Sequence, residues 1–264
     1  MARVAITKMH GAGNDFIVVD RRTQWLDDVA AFARWACDRK NGIGADGLLT
    51  IERSYKADVL MRVVNADGSE AEMCGNGIRC VARFLDEAND GDAHRIETAS
   101  GTIEATVVAE EPEYRVRVAI GHPQLEMRDL RLTRAQYVDV GNPHVVLIRD
   151  TLDRGELLAA GEALQRDVAF PHGTNVHVMA LVDDHAIEVL HFERGVGETR
   201  ACGTGAVACA ATAIVHGMAQ SPVTVHVPGG ELLVEWDGVG VAYLTGPAER
   251  VFDMSIDLDA IALD

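Results

Sequence analysis

Apolar residues recur along this chain at two spacings, every second residue and every third or fourth, and together they predict strands interrupted by helices. Arg3 to Val19 holds two strand-like runs broken by Gly11-Ala12-Gly13-Asn14. Ala30 to Arg39 predicts a helix, and Leu48 to Ile51 and Val59 to Val64 predict strands. Asn65-Ala66-Asp67-Gly68 is a strong turn signal. Apolar side chains at 78, 81, 84, 85 and 88 predict a helix over Ile78 to Ala88, stopped by the polar breaker Asn89-Asp90-Gly91-Asp92. Strands Thr102 to Val108 and Arg115 to Ile120 follow.

Past Gly121-His122-Pro123 the order begins again. It runs through strand Val145 to Ile148, helix Glu156 to Gln165, and strands Asn175 to Leu181 and Ala186 to Phe192. The helix predicted over Ala206 to His216 is apolar nearly all round and stops at Gly217. A helix with no polar face needs cover on every side, and a curved sheet of alternating strands supplies it.

The two halves align at one offset. Gly13-Asn14 falls on Gly141-Asn142, Cys74-Gly75-Asn76-Gly77 on Cys202-Gly203-Thr204-Gly205, and Gly101 on Gly229, each 128 residues apart. That period is too long for a solenoid unit and indicates a duplicated domain. The fold expected is α+β, two pseudo-symmetric domains that are each a barrel-like mixed sheet around a central helix. The expected boundaries are 1–118, with the tail 251–264 returning to it, and 119–250.

Composition narrows the function classes. The chain has 264 residues, 48% of them apolar and 25% charged, as in ordinary globular proteins. Its net charge of −17 repels phosphate backbones and anionic lipid, so nucleic acid and membrane are not expected partners. Met1 to Asp20 lacks the basic and apolar blocks of a leader, and a cytoplasmic location is expected. Five cysteines, at 37, 74, 80, 202 and 209, form neither a CxxC pair nor a zinc-finger spacing, so free thiols and no metal are expected.

Cys74 and Cys202 stand out because each immediately precedes a predicted central helix. Unpaired N–H groups and about half a positive charge collect at a helix start. That field favours thiolate and is expected to pull a thiol pKa toward neutrality. The same N–H groups can hold a carboxylate, and Gly75 and Gly203 let it approach the backbone. If the halves pack about a pseudo-twofold axis, one sulfur lies on each face of a bound carbon. A base on one face and an acid on the other is what inversion of a stereocentre requires. A single cysteine at a helix start is usually a packing residue, and the duplication is what favours chemistry. Cys37, Cys80 and Cys209 lie within predicted helices and are expected in the core. The loop residues Asn14, Asn65, Asn142, Asn175, Glu193 and Arg194 are candidate donors and acceptors for a zwitterion, with Arg194 suited to a carboxylate. These residues alone leave open a dithiol redox protein, a binding module, or a racemase for another amino acid.

Longer motifs carry a resemblance. Lys8-Met9-His10-Gly11-Ala12-Gly13-Asn14-Asp15-Phe16, Asn65-Ala66-Asp67-Gly68-Ser69, Cys74 to Cys80, Gly141-Asn142-Pro143-His144 and Glu193 to Gly205 resemble the signatures of diaminopimelate epimerases. The likeness runs from Val4 to about Asp253. It implies an epimerase, free of pyridoxal phosphate, metal or any other cofactor, that interconverts LL- and meso-diaminopimelate in lysine and cell-wall precursor synthesis. It implies Cys74 and Cys202 as the catalytic pair, with Gly75, Asn76, Gly203 and Thr204 holding the reacting carboxylate. Asn14, Asn65, Asn142, Asn175, Glu193 and Arg194 would grip the substrate, His144 and Glu193 would support catalysis, and a homodimer is implied. Gly47 departs from the family pattern, where a substrate-contacting glutamine is common. Val145 replaces a common cysteine, Thr204 a frequent serine, and the stretch from Met127 to Tyr137 is short.

Overall fold

The computed structural model describes residues 3–71, 73–88, 91–128 and 132–261 of the chain. The breaker residues Asn89 and Asp90, part of the short stretch after Met127, and the end of the tail lie outside the described residues. The chain divides into two compact units, Met1–Val118 with Pro247–Asp264, and Ala119–Gly246.

In the first unit β1 (Arg3–Gly11) pairs antiparallel with β2 (Asn14–Asp20). After helix α1 (Val29–Cys37), β3 (Gly47–Glu52) joins β2 in parallel and β4 (Val59–Asn65) joins β3 antiparallel. The short β5 (Glu70–Ala71) folds back on β4 and leads to helix α2 (Gly75–Glu87). Next, β6 (Ala93–Thr98) pairs parallel with β4, and β7 (Gly101–Ala109) and β8 (Arg115–Gly121) follow antiparallel. Helix α2 touches β1, β2, β3, β4, β6 and β7, so the sheet curls round it.

The second unit repeats this pattern pairing for pairing. β9 (Gln124–Glu126), β10 (Ala135–Asp139) and β11 (Pro143–Arg149) are antiparallel neighbours. Helix α3 (Arg154–Leu164) precedes β12 (Asn175–Asp183), which is parallel to β11, and β13 (Ala186–Glu193) returns antiparallel with the short β14 (Gly197–Thr199). Helix α4 (Gly203–Val215) is followed by β15 (Val223–Val227), parallel to β13, and then by β16 (Gly230–Glu235) and β17 (Ala242–Pro247), antiparallel. Back in the first unit, β18 (Glu249–Asp257) lies antiparallel on β1, in the place that β9 takes beside β10 in the second. The α+β class and the barrel-like sheet around a central helix in each half are therefore as the sequence led one to expect.

Strand alternation explains how one sheet covers two helices. Leu48 packs with Phe32 and Ala36 of α1 on the outer face, while the next residue, Leu49, lies against Gly77 of α2 on the inner face. Likewise Val176 and Val178 pack with Leu157 of α3, and His177 between them lies against Gly205 of α4. Residues 203–213 of α4 are all buried, which its five alanines in that span permit by letting strands come close.

Three details differ from expectation. Helices α2 and α4 begin at Gly75 and Gly203, three residues before the predicted starts, because each preceding cysteine caps the first turn. The turn glycine matching Gly101 is Gly230 rather than Gly229. Both have positive φ and both close hairpins of the same register, Thr98↔Gly101 and Val227↔Gly230. The strands not predicted include β6, β10 and β15, each of which mixes polar residues into a short run; in β6 the inward set is His94, Ile96 and Thr98.

Gly161 of α3 tests this packing. A Cβ there would lie 2.4 Å from the Phe192 ring on β13. Gly161→Ala is expected to lower the unfolding free energy by about 2 kcal/mol through overpacking. The urea midpoint reports it, and an unchanged midpoint would mean that α3 does not seat on Phe192.

Candidate active site

Each of the two cysteines caps its helix with its own sulfur. Cys74 has an extended backbone, and its Sγ accepts from the Gly77 N–H at 3.5 Å; in the second unit Cys202 Sγ accepts from the Gly205 N–H at 3.4 Å. Their carbonyls take the next N–H groups, of Ile78 and Ala206. Both bonded positions are tight for a side chain, Gly205 more than Gly77. A Cβ at Gly77 would meet Leu49 Cδ2 at 3.0 Å, and one at Gly205 would meet His177 Cε1 at 2.4 Å.

In the first unit the structure gathers Cys74, Asn14 and Asn76. Asn14 Oδ1 accepts from Asn76 Nδ2 at 3.1 Å and from Cys74 Sγ at 3.7 Å, while its own Nδ2 donates to Asp46 at 2.8 Å. Asp46 also bonds Arg39, which bridges to Asp15 and so to Lys8. These cations hold the Asp15 carboxyl at about 2 against the opposing effect of burial. Gly13, with φ of 80°, turns β1 into β2 so that Asn14 reaches this position; Gly141, with φ of 85°, does the same for Asn142.

The sequence reading missed Arg79. It is fully buried on α2, donates to Asn76 Oδ1 at 2.9 Å and to the Pro247 carbonyl at 3.0 Å, and is held down to about 10 by desolvation. Its neighbours one turn away include Asn76 and Arg83, so it lies off the apolar stripe and nothing in the sequence marked it. Asn65, by contrast, stays with its own turn, donating to Ser69 Oγ at 2.9 Å. Gly47 pairs with Asn65 across β3 and β4, and a Cβ there would stand 3.1 Å from the Val64 carbonyl, which leaves no ready room for a side chain.

In the second unit the partners differ. Cys202 is 4% exposed, with Thr204 Oγ1 at 3.7 Å. Burial, then the nearby Glu193 carboxylate, push its thiol well above the usual range. Helix-start depression was the expectation for this sulfur, and desolvation outweighs it. Cys202 therefore holds its proton.

Glu193 accepts from Thr199 Oγ1 at 2.6 Å. Asn175 ties two segments together, donating to the Pro143 carbonyl at 3.0 Å and accepting from the Arg194 N–H at 3.0 Å. The Arg194 guanidinium is exposed and has no carboxylate partner among the described residues. Helix geometry leaves the N–H groups of Gly203 and Thr204 without intrahelical acceptors. Asn142 Oδ1 contacts His144 Nε2 at 2.8 Å, His144 Nδ1 contacts His177 Nε2 at 2.9 Å, and His177 Nδ1 contacts His191 Nδ1 at 2.8 Å. The sequence reading did not single out His177 or His191.

Cys37, Cys80 and Cys209 are buried, and desolvation raises all three thiols, to about 11 and 12 for the first two. They are packing residues. No helix among the described residues is long and apolar enough to cross a membrane.

Solved structures share this fold. The chain superimposes on a hydroxyproline epimerase from Agrobacterium vitis, solved with bound trans-4-hydroxy-L-proline, with a TM-score of 0.73 at 16% identity, covering 98% of this chain and 94% of that one. At that identity the likeness shows architecture alone. Sequence goes further: the diaminopimelate epimerase family model matches residues 6–126 and 136–251. A diaminopimelate epimerase from Pelotomaculum thermopropionicum is 40% identical, over 93% of this chain and 96% of the relative. One from Rhizorhabdus wittichii is 42% identical, over 99% of this chain and 98% of the relative. This chain belongs to the diaminopimelate epimerase family.

Two predictions follow from the burial pattern. Cys74 is the partly exposed cysteine, so brief alkylation of native protein at neutral pH should modify Cys74 and spare the other four, as peptide mapping would show. Labelling of Cys209 ahead of Cys74 would contradict this burial. The second concerns acid. Burial lowers His144 and His191 to about 3, and His177 well below the usual value of 6.5. The unfolded chain thus binds more protons, and the histidines' contribution is whole above about pH 6.5 and lost progressively as pH falls toward about 3. Three such groups give a limiting slope of roughly 4 kcal/mol per pH unit. Urea midpoints at pH 7.5, 6 and 5 should fall steeply (flat midpoints would contradict it).

Proposed function

We propose that this chain is a diaminopimelate epimerase, inverting one α-carbon between the LL and meso forms through Cys74 and Cys202. The observation that carries the proposal is the duplicated Cys-Gly-x-Gly helix start within a chain about 40% identical, over nearly its full length, to diaminopimelate epimerases. Supporting it, Cys202 keeps its proton and so suits the acid, returning a proton to the carbon while the other sulfur acts as base. Roles exchange when the reaction runs backward.

The barrier to removing an α-proton is the charge that builds up on the adjoining carboxylate. Fixed N–H donors at Gly75, Asn76, Gly203 and Thr204 address that charge, each worth about 3 kcal/mol where it meets the developing anion. Arg194, with no carboxylate partner of its own among the described residues, suits the carboxylate of the centre that is not inverted. Asn14, Asn65, Asn142 and Asn175 complete the grip on substrate, and His144 and Glu193 support the reaction by holding the Asn142 amide and the environment of Cys202. The reaction serves lysine and peptidoglycan-precursor synthesis in the cytoplasm and needs no cofactor. A homodimer fits the exposed Val251, Phe252 and Met254 on β18, which pairs on one side with β1.

In deuterated water, turnover of LL-diaminopimelate should place solvent deuterium at an α-carbon, and Cys74→Ala or Cys202→Ala should each reduce epimerisation by at least about a thousandfold. Near-normal turnover by either variant would end the two-thiol mechanism. Turnover of proline in place of diaminopimelate would end the substrate assignment alone.

A further inference from the structure

Asn142, His144, His177 and His191 form a file of four side chains joined by three contacts of 2.8–2.9 Å. The strands set it up. His177 and His191 are opposite partners in the β12–β13 register, and His144 lies on β11, the parallel neighbour of β12. All three histidines have no exposed surface, and the His177 ring is pinned against the backbone of Gly205. Burial keeps His144 and His191 neutral down to about 3 and His177 neutral likewise, so each ring has one donor nitrogen and one acceptor.

Only two proton arrangements then keep every contact a hydrogen bond. In one, each group donates toward Asn142, and the file ends in a bare lone pair on His191 Nε2. In the other, each donates away from Asn142, and the file ends in an N–H on that same atom. His191 Nε2 is buried with no partner. An orphaned buried N–H is the rarer and costlier end, so the first arrangement is the stable one. It places His144 Nε2–H against Asn142 Oδ1 and commits the oxygen of that amide inward. The Nδ2 group, with no acceptor among the described residues, is what Asn142 has left to offer.

We propose that His177 and His191 are positioning residues which, through His144, lock the Asn142 amide with its nitrogen as the donor, so that Asn142 reads a carboxylate and rejects an ammonium group. This rests on Asn142 being a substrate-binding residue, as proposed above. Since diaminopimelate carries both groups at each end, a fixed amide decides which way round an end is seated.

The direct test is long-range proton–nitrogen NMR of the full-length protein labelled at histidine. His144 and His177 should carry their proton on Nε2 and His191 on Nδ1, unchanged between about pH 6 and 8. A proton on His144 Nδ1, or averaging between tautomers, overturns the proposal even if the enzyme is fully active. The unaltered protein suffices for this, and the spectrum decides the matter even if diaminopimelate is not turned over. A second arm uses His177→Phe, which fills the space without a donor, and His177→Gln, which restores an N–H toward His144 Nδ1. The Phe variant should raise KM for LL-diaminopimelate about tenfold with kcat changed much less, and should mix the His144 tautomers; Gln should recover most of both. Equal losses in the two variants with an unchanged His144 tautomer would show a packing role only and overturn the proposal.

Discussion

A helix enclosed by a sheet must satisfy its first N–H groups without bulk water, and in this protein sulfur does that work. Cys74 and Cys202 each accept the N–H three residues on, in the geometry that serine or aspartate uses at exposed helix starts. Asp28 and Asp153 play that part for the outer helices α1 and α3. The substitution of thiol for carboxylate at the inner pair puts a group that can gain and lose a proton where N–H donors converge.

From that constraint the glycines and the strands follow. The glycine at each bonded position lets the strand beneath come close, through Leu49 in one unit and His177 in the other. The strands beneath must themselves be buried on both faces, since α1 and α3 cover the outside. Hence Leu48-Leu49 and Val176-His177-Val178 have no polar face turned to solvent.

The two halves have kept this frame and diverged around it. Beside Cys74 stand asparagines, fixed by a buried arginine and by a lattice of paired aspartates and basic residues. Arg79 has Val207 at its offset, 207 − 79 = 128, and no cation lies at that place in the second half. Beside Cys202 stand a carboxylate and a histidine file, and burial is deeper. Duplication supplied the matched frame, and later substitution made the halves unequal.

The sequence by itself determined the repeat and the class of fold, and it singled out Cys74 and Cys202, because those depend on spacing and residue type. A shared offset, an all-apolar helix and a cysteine before Gly-x-Gly are legible one residue at a time. It did not disclose Arg79, His177 and His191, or the early helix starts, because their meaning lies in what packs against them. A histidine on a strand is an ordinary polar residue until the fold buries it beside two others, and Gly75 reads as a helix breaker until a sulfur caps the turn. Tertiary structure alone decided which polar groups lost their water, and that loss fixed their partners and charge.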